Sequence, residues 1–324
     1  EIAKTVAEKI GLELLTIKVK ALNLKNSDVA DSNIGEPYSD SSLINQYYLS
    51  KEARKYATVF LTGDGGDEAF AGYNEYVSAF NKKNLFALTG FFSQHLDKFI
   101  NPLLDNDANF AQQLSKLNLG FPGLGKAIRN NFNDPILQKV LNPKYKLPTD
   151  KISSQVSSFW NETEHLSFIK KMQYLDYKNY LEPDVLVKVD RATMLNSIEA
   201  RSPFLDYRLV ELAFQIPEKH NIRGTMGKQL LRKLAEKHLP ASVTRSPKRG
   251  FGLPIREWIN DETIAALKQL HKKNNHDFFD EDILNKYVFQ KNTKRDLSGL
   301  HWKIRMFEEW YSNSMTEVHT HVKD

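Results

Sequence analysis

The sequence predicts an α/β protein, in which the last part of a parallel sheet and its covering helices are followed by a large, mostly helical region. Three observations carry that expectation. Helix-like and strand-like segments alternate over residues 1–78. A short β-rich run, "TVFLTG" (58–63), ends in a glycine-rich turn, where open α/β sheets present their ligands. Residues 79–324 then read as helices, separated by Pro- and Gly-containing loops near 102, 120–124, 147, 183, 203, 240 and 247–254.

Taken in order, Ile2, Val6 and Ile10 fall at helical spacing, and Gly11 suits a helix C-cap. "LELLTIKV" (12–19) reads as a strand, and a polar loop rich in Asn, Asp and Ser covers 23–40. Asp40 is placed to cap a helix through 41–56, in which Leu43 and Tyr47, and Ile44 and Tyr48, share a face. "TVFLTG" suits a buried parallel strand, and a helix is expected over 68–76. Two strands do not make a stable parallel sheet, so at least one more is expected upstream. The two regions are expected to pack as one unit.

Composition removes several function classes. The 324 residues are 41% hydrophobic and 26% charged, ample for a core. The net charge of +5 is spread over pairs such as Lys82-Lys83 and Lys272-Lys273, so a solvated surface is expected and not a nucleic-acid face. With no cysteine, disulfides, thiolate metal sites and cysteine nucleophiles are excluded for this chain. No apolar run approaches the roughly 20 residues of a membrane span, and a cytoplasmic location is the expectation. The chain opens at Glu1 directly in a helical pattern, which reads as a fragment or a trimmed chain.

The turn after the strand, "LTGDGGDEAFAGY" (61–73), carries Asp64, Asp67 and Glu68 among Gly63, Gly65 and Gly66. Glycines let backbone approach a ligand closely, and such loops usually hold phosphate. Neither GK[ST] nor GxGxxG is present here. Carboxylates beside a phosphate need a cation between them, and Mg²⁺ takes one or two carboxylates and shares substrate phosphates. The alternative is capping: acids in a first helical turn favour the macrodipole by about 0.3–1 kcal/mol each.

"RGTMGKQLLRKLAEKHLP" (223–240) reads as a helix from about Gly227 to His238, with Leu230, Leu231 and Leu234 on its apolar face. Lys228 then sits in the first turn, where the dipole disfavours a cation, so it is a candidate for meeting an anion; a solvated lysine is the plain alternative. Lys188, Asp190, Arg191, Glu199, Arg201 and Asp206 crowd one apolar stretch, and a salt-bridged helix pair is preferred over catalysis. Lys248 and Arg249 lie in a Gly/Pro loop suited to an anion or to solvent. His319 and His321 read as a frayed tail, not a metal site.

Together, "EPYSDSS" (36–42), "LTGDGGDEAFAGY" (61–73), "LVKVDRATMLNSIEARSPFLDYRLVE" (186–211), "GKQLLRKL" (227–234) and "PKRGFGLPIREW" (247–258) resemble, in this order, the synthetase domain of glutamine-hydrolysing asparagine synthetases. "LHWKIRMFEEWY" (300–311) looks like that domain's closing helix. The resemblance implies a nucleotide-binding sheet of the adenine nucleotide alpha hydrolase type. It also implies ATP and Mg²⁺ as cofactors, and an aspartate carboxylate that is adenylated and then attacked by ammonia. By motif, Thr62, Gly63 and Gly65 would border the adenylate, and Asp67 would bind magnesium with a second acid. Asp64 would help form the intermediate or accept a proton from the attacking amine, and Lys228 would stabilise negative charge. Glu68 would support the loop or touch substrate, with Tyr73 as a support. The family's SGGxDS loop and its cysteine-bearing glutaminase domain do not occur in this chain, so the chain alone is expected to be inactive. A glutaminase domain is expected in the full protein, ammonia is expected to come from glutamine, and a homodimer is possible. A relative that amidates or cyclises another carboxylate, or a non-catalytic nucleotide-binding module, remains the alternative reading.

Overall fold

The computed structural model describes residues 1–16, 35–81, 139–145, 149–247, 253–290 and 296–321. Helix α1 (Ile2–Ile10) stops at Gly11, whose φ of 70° is left-handed and whose N–H reaches the Ala7 carbonyl. That is the expected cap. Residues 12–16 form no strand, and 17–19, like most of the polar loop, lie outside the described residues. Helix α2 (Ser42–Ala53) follows. The Asp40 carboxylate accepts from the Ser42 amide at 2.9 Å and from its hydroxyl at 2.8 Å, so Asp40 holds the first turn as expected.

Strand β1 (Val59–Leu61) is parallel, but its partner is not the upstream segment. It pairs with β2 (Glu199–Arg201) in the register Val59↔Glu199, Phe60↔Ala200, Leu61↔Arg201. "EAR" carries helix formers and no β-branched residue, so local propensity does not announce it; pairing with β1 overrides propensity. The expectation of a buried strand is also corrected. Val59 is 41% and Leu61 76% exposed, because among the described residues no layer packs on that face.

The expected 68–76 helix is broken in two. A short helix, Gly66–Ala69, ends at Phe70, Ala71 takes a left-handed φ of 53°, and helix resumes over 74–81. Behind this bend, Ala71, Tyr76, Val77 and Ala79 pack with Trp160, Ile169, Met172, Leu175 and Ile222. Helix α3 (Phe168–Asp176) supplies three of those residues. It also supplies buried Lys170, which donates to the Ala213 carbonyl at 2.6 Å near the end of α5 (Tyr207–Gln215). Burial pulls that lysine down to about 8.

A ten-residue π-helix, Tyr177–Leu186, contains Pro183 and runs into α4 (Val187–Met194). Part of the charged stretch ties α4 to the segment that opens α2, and part pairs locally. Lys188 reaches Asp40 at 2.7 Å, and Arg191 reaches Glu36 at 2.8 Å. Arg201 binds Glu199 at 2.7 Å, and Arg208 binds Asp206 at 2.6 Å. Burial raises the Asp40 carboxyl, but Lys188 and Ser42 outweigh it and hold the group below its usual range. The Tyr38 hydroxyl donates to the Asp184 carboxylate, so "EPYSD" is fastened to the π-helix and α4 at three points.

Helix α6 (Gln229–Ala235) is shorter than the expected 227–238. Only Leu231 of its expected apolar face packs on a core, whereas Leu230 and Leu234 are 38% and 56% exposed. Helices α7 (Asp261–Asn274) and α8 (Ser298–His321) complete the helical region. In α8, Trp302 and Met306 pack with Leu43, Ile44 and Ala192, and the Trp302 indole donates to the Ser39 carbonyl at 2.9 Å. Lys248 and Arg249 lie outside the described residues. Among the described residues no helix is long and apolar enough to cross a membrane.

Candidate active site

The site forms where two distant loops meet at the carboxyl end of β1. Thr62 continues the ladder, its amide donating to the Arg201 carbonyl at 2.8 Å. Gly65 carries the turn with φ 80°, and Ser202, just beyond β2, donates its hydroxyl to the Asp64 carbonyl at 2.5 Å. The turn is thereby pinned to both strands. A Cβ on Gly63 would meet nothing within 4 Å, so that backbone faces open space.

Lys228 lies outside its helix, which corrects the first-turn placement. It is the N-cap of α6, with φ 55° and ψ 29°. A left-handed residue bearing a Cβ costs about 1–2 kcal/mol, and Ala71 carries the same strain. The reason is the contact between the loops. Lys228 donates its amide to the Phe70 carbonyl at 3.2 Å, and its ammonium lies 3.0 Å from Asp67 Oδ1. Two glycines make the approach possible. A Cβ on Gly227 would sit 2.1 Å from the Ala71 carbonyl oxygen, and one on Gly72 would sit 1.9 Å from Asp67 Oδ1 and 2.3 Å from Lys228 Cε. Asp67 and Lys228 side chains are 26% and 29% exposed, packed yet within reach of a ligand.

Of the residues singled out from sequence, Thr62, Gly63, Asp64, Gly65, Asp67 and Lys228 gather at this strand end. Among the described residues the Asp64 carboxylate has no partner. Glu68 turns the other way. It is 2% exposed, its carboxylate accepts from the Tyr73 hydroxyl at 2.6 Å, and its carbonyl accepts from the Gln173 amide. Burial, opposed by Tyr73, pushes Glu68 above the ordinary carboxylate range. Its neighbours are those of a group that holds the bend.

Four further contributors, Gly72, Ser202, Gly227 and Arg232, lie within the quoted motifs, but sequence gives them no role at the site. Arg232 sits one turn beyond Lys228 and donates to the carbonyls of Gly227 (2.9 Å), Thr244 and Ser246 (3.0 Å). It clamps the lysine's loop to the segment entering 247–254. Arg232→Lys, which lacks the planar fork, is expected to lower Tm by about 2–4 °C as this clamp loosens. An unchanged Tm would show that these bonds do not hold the two segments together.

An acidic glycine turn at a parallel strand end, with a strained lysine closed against it, places the candidate site of a mostly helical α/β protein where open α/β sheets present their ligands. Comparison with known proteins narrows that class. The chain belongs to the asparagine synthase family, whose model matches residues 1–312. It is 28% identical over 321 residues to "Asparagine synthetase [glutamine-hydrolyzing] 1" of Bacillus subtilis, covering 96% of this chain and 49% of that relative. It is 31% identical over 229 residues to a "Putative asparagine synthetase [glutamine-hydrolyzing]" of Mycobacterium tuberculosis, covering 70% of this chain and 34% of the relative. A third relative, "Amidase chyE" of Penicillium rubens, is 23% identical over 336 residues, covering 92% and 48%. The chain thus spans at most about half the length of these relatives.

Proposed function

We propose that the protein containing this chain makes an amide from a carboxylate, ATP and ammonia, with aspartate as the carboxylate and asparagine as the product. The Lys228–Asp67 pair at the end of β1 carries the reading, because two strained residues and two obligatory glycines hold it there. The substrate carboxylate attacks the α-phosphorus of ATP and pyrophosphate leaves; ammonia then attacks the acyl carbon and AMP leaves. Both steps build negative charge on oxygen, and a cation fixed in a packed site stabilises that charge by several kcal/mol. Lys228 is that cation. Gly63 and Gly65 present backbone to the nucleotide, with Thr62 beside them. Asp64 accepts a proton from the attacking amine.

Mg²⁺ takes one or two carboxylates together with phosphate oxygens. Asp67 fits as one such ligand, and Glu68, turned into the core against Tyr73, does not. The ion, when bound, neutralises phosphate charge. Asp67 would hold the ion, and Lys228, 3.0 Å from Asp67, would meet the phosphate beside it.

The test is carboxylate-dependent exchange of labelled pyrophosphate into ATP, with the native protein and a panel of acids. Exchange that requires aspartate supports the reading. Exchange driven by another acid moves the substrate and keeps the chemistry, a second reading favoured by the likeness to the Penicillium amidase. No exchange with any acid sinks the adenylation step.

A further inference from the structure

A second polar centre lies between α7 and α8, away from the strand end. His271, His276 and Glu308 converge with side chains 3%, 3% and 0% exposed. His271 Nδ1 lies 2.6 Å from Glu308 Oε1, and His276 Nε2 lies 3.0 Å from Glu308 Oε2. One donor atom from each residue falls within 4.8 Å of the others. The Asn274 amide donates to Glu308 Oε2 at 2.7 Å, and the far nitrogen of His271, Nε2, lies 2.8 Å from Glu281 Oε1. Phe278, Phe307 and Tyr311 wrap the His276 ring.

We propose that His271, His276 and Glu308 bind a divalent transition metal of the zinc class, which fastens α8 to α7. The donor chemistry selects the metal: two imidazoles and one carboxylate suit Zn²⁺, whereas Mg²⁺ and Ca²⁺ take all-oxygen shells. The outer contacts fit as well. A ligating histidine characteristically gives its other ring nitrogen to a carboxylate, which fixes the ring, and Glu281 occupies that place on His271. The aromatic rings cover the His276 side, and a water entering beside Glu281 completes the four ligands that zinc takes. Bonds of about 2.0–2.2 Å ask for donor atoms roughly 3.3 Å apart, so a small withdrawal of Glu308 opens the centre. Glu281, 66% exposed, is the side facing solvent. The centre is structural: α8 carries Trp302, which packs on α2 and holds the Ser39 carbonyl next to Asp40.

Metal content of the native protein after exhaustive dialysis, with a zinc titration of Tm after refolding in chelator, tests this without measuring activity. About one equivalent of metal per chain is expected, with a rise of several degrees in Tm on adding zinc to the stripped protein. His276→Asn and His271→Gln should abolish both, and His220→Gln, at an exposed position outside the cluster, should abolish neither. Should either variant fail to fold, the wild-type metal content and Tm response decide alone. Less than about a tenth of an equivalent, with no Tm response to excess zinc, overturns the proposal and leaves a hydrogen-bonded clamp.

Discussion

Lys228→Ala is expected to lower carboxylate-dependent pyrophosphate release by about a hundredfold or more, with a fall of only a few degrees in Tm. The two halves of that expectation have separate causes. Rate falls because a preorganised cation beside Asp67 is gone, and water does not replace a charge already aimed. Some stability goes as well, because the pair is about three-quarters buried and Asp67 Oδ1, itself buried, loses its cation. Alanine and lysine also suffer equally at φ 55°. Lys228→Gly separates the effects further: it should be about 1 kcal/mol more stable than Lys228→Ala through relief of the left-handed strain while losing the same rate. A Lys228→Ala protein with wild-type turnover would mean that the site is not catalytic, whatever it binds.

Gly72→Ala and Gly227→Ala should fail differently, although each adds one methyl. At Gly72 the added carbon meets the ends of two side chains, Asp67 Oδ1 and Lys228 Cε. Those ends can swing aside, so the fold survives and the pair is parted; turnover should drop about a hundredfold at near-normal Tm. At Gly227 it meets the Ala71 carbonyl oxygen at 2.1 Å, which is backbone and has nowhere to go. Overpacking of this kind costs about 1–3 kcal/mol, so Tm should fall along with turnover. Thermal denaturation beside pyrophosphate release distinguishes them. Equal Tm for both variants, or normal turnover in Gly72→Ala, would contradict the described packing.

The local signals read well from sequence. Gly11 stops α1, Asp40 holds the start of α2, and β1 lies within the apolar run assigned to it, because turns, caps and short strands depend on near neighbours. The acidic turn and Lys228 stood out for residue types that oppose their surroundings. What depended on distant pairing stayed hidden. β2 is three residues of helix-forming character made into a strand by β1. The broken 68–76 helix and the left-handed Lys228 arise from one loop pressing on another, and no window along the chain contains both. Gly72 was visible as a glycine, but its purpose lies in the Lys228 side chain. Glu68 looked like its acidic neighbours, and only burial with Tyr73 separates it from them.

The bond from the Lys228 amide to the Phe70 carbonyl also bears on how the chain matures. Phe70 and Lys228 lie far apart in sequence, so this contact closes a very long loop and must wait for the packing between them. The Lys228–Asp67 pair should therefore be one of the last features to form as the protein folds. Local opening near either loop would disconnect it while most helices persist. A partly folded or nicked chain would then resemble the native protein in helix content yet lack the assembled strand-end loops, so contact between the two loops would report completed folding.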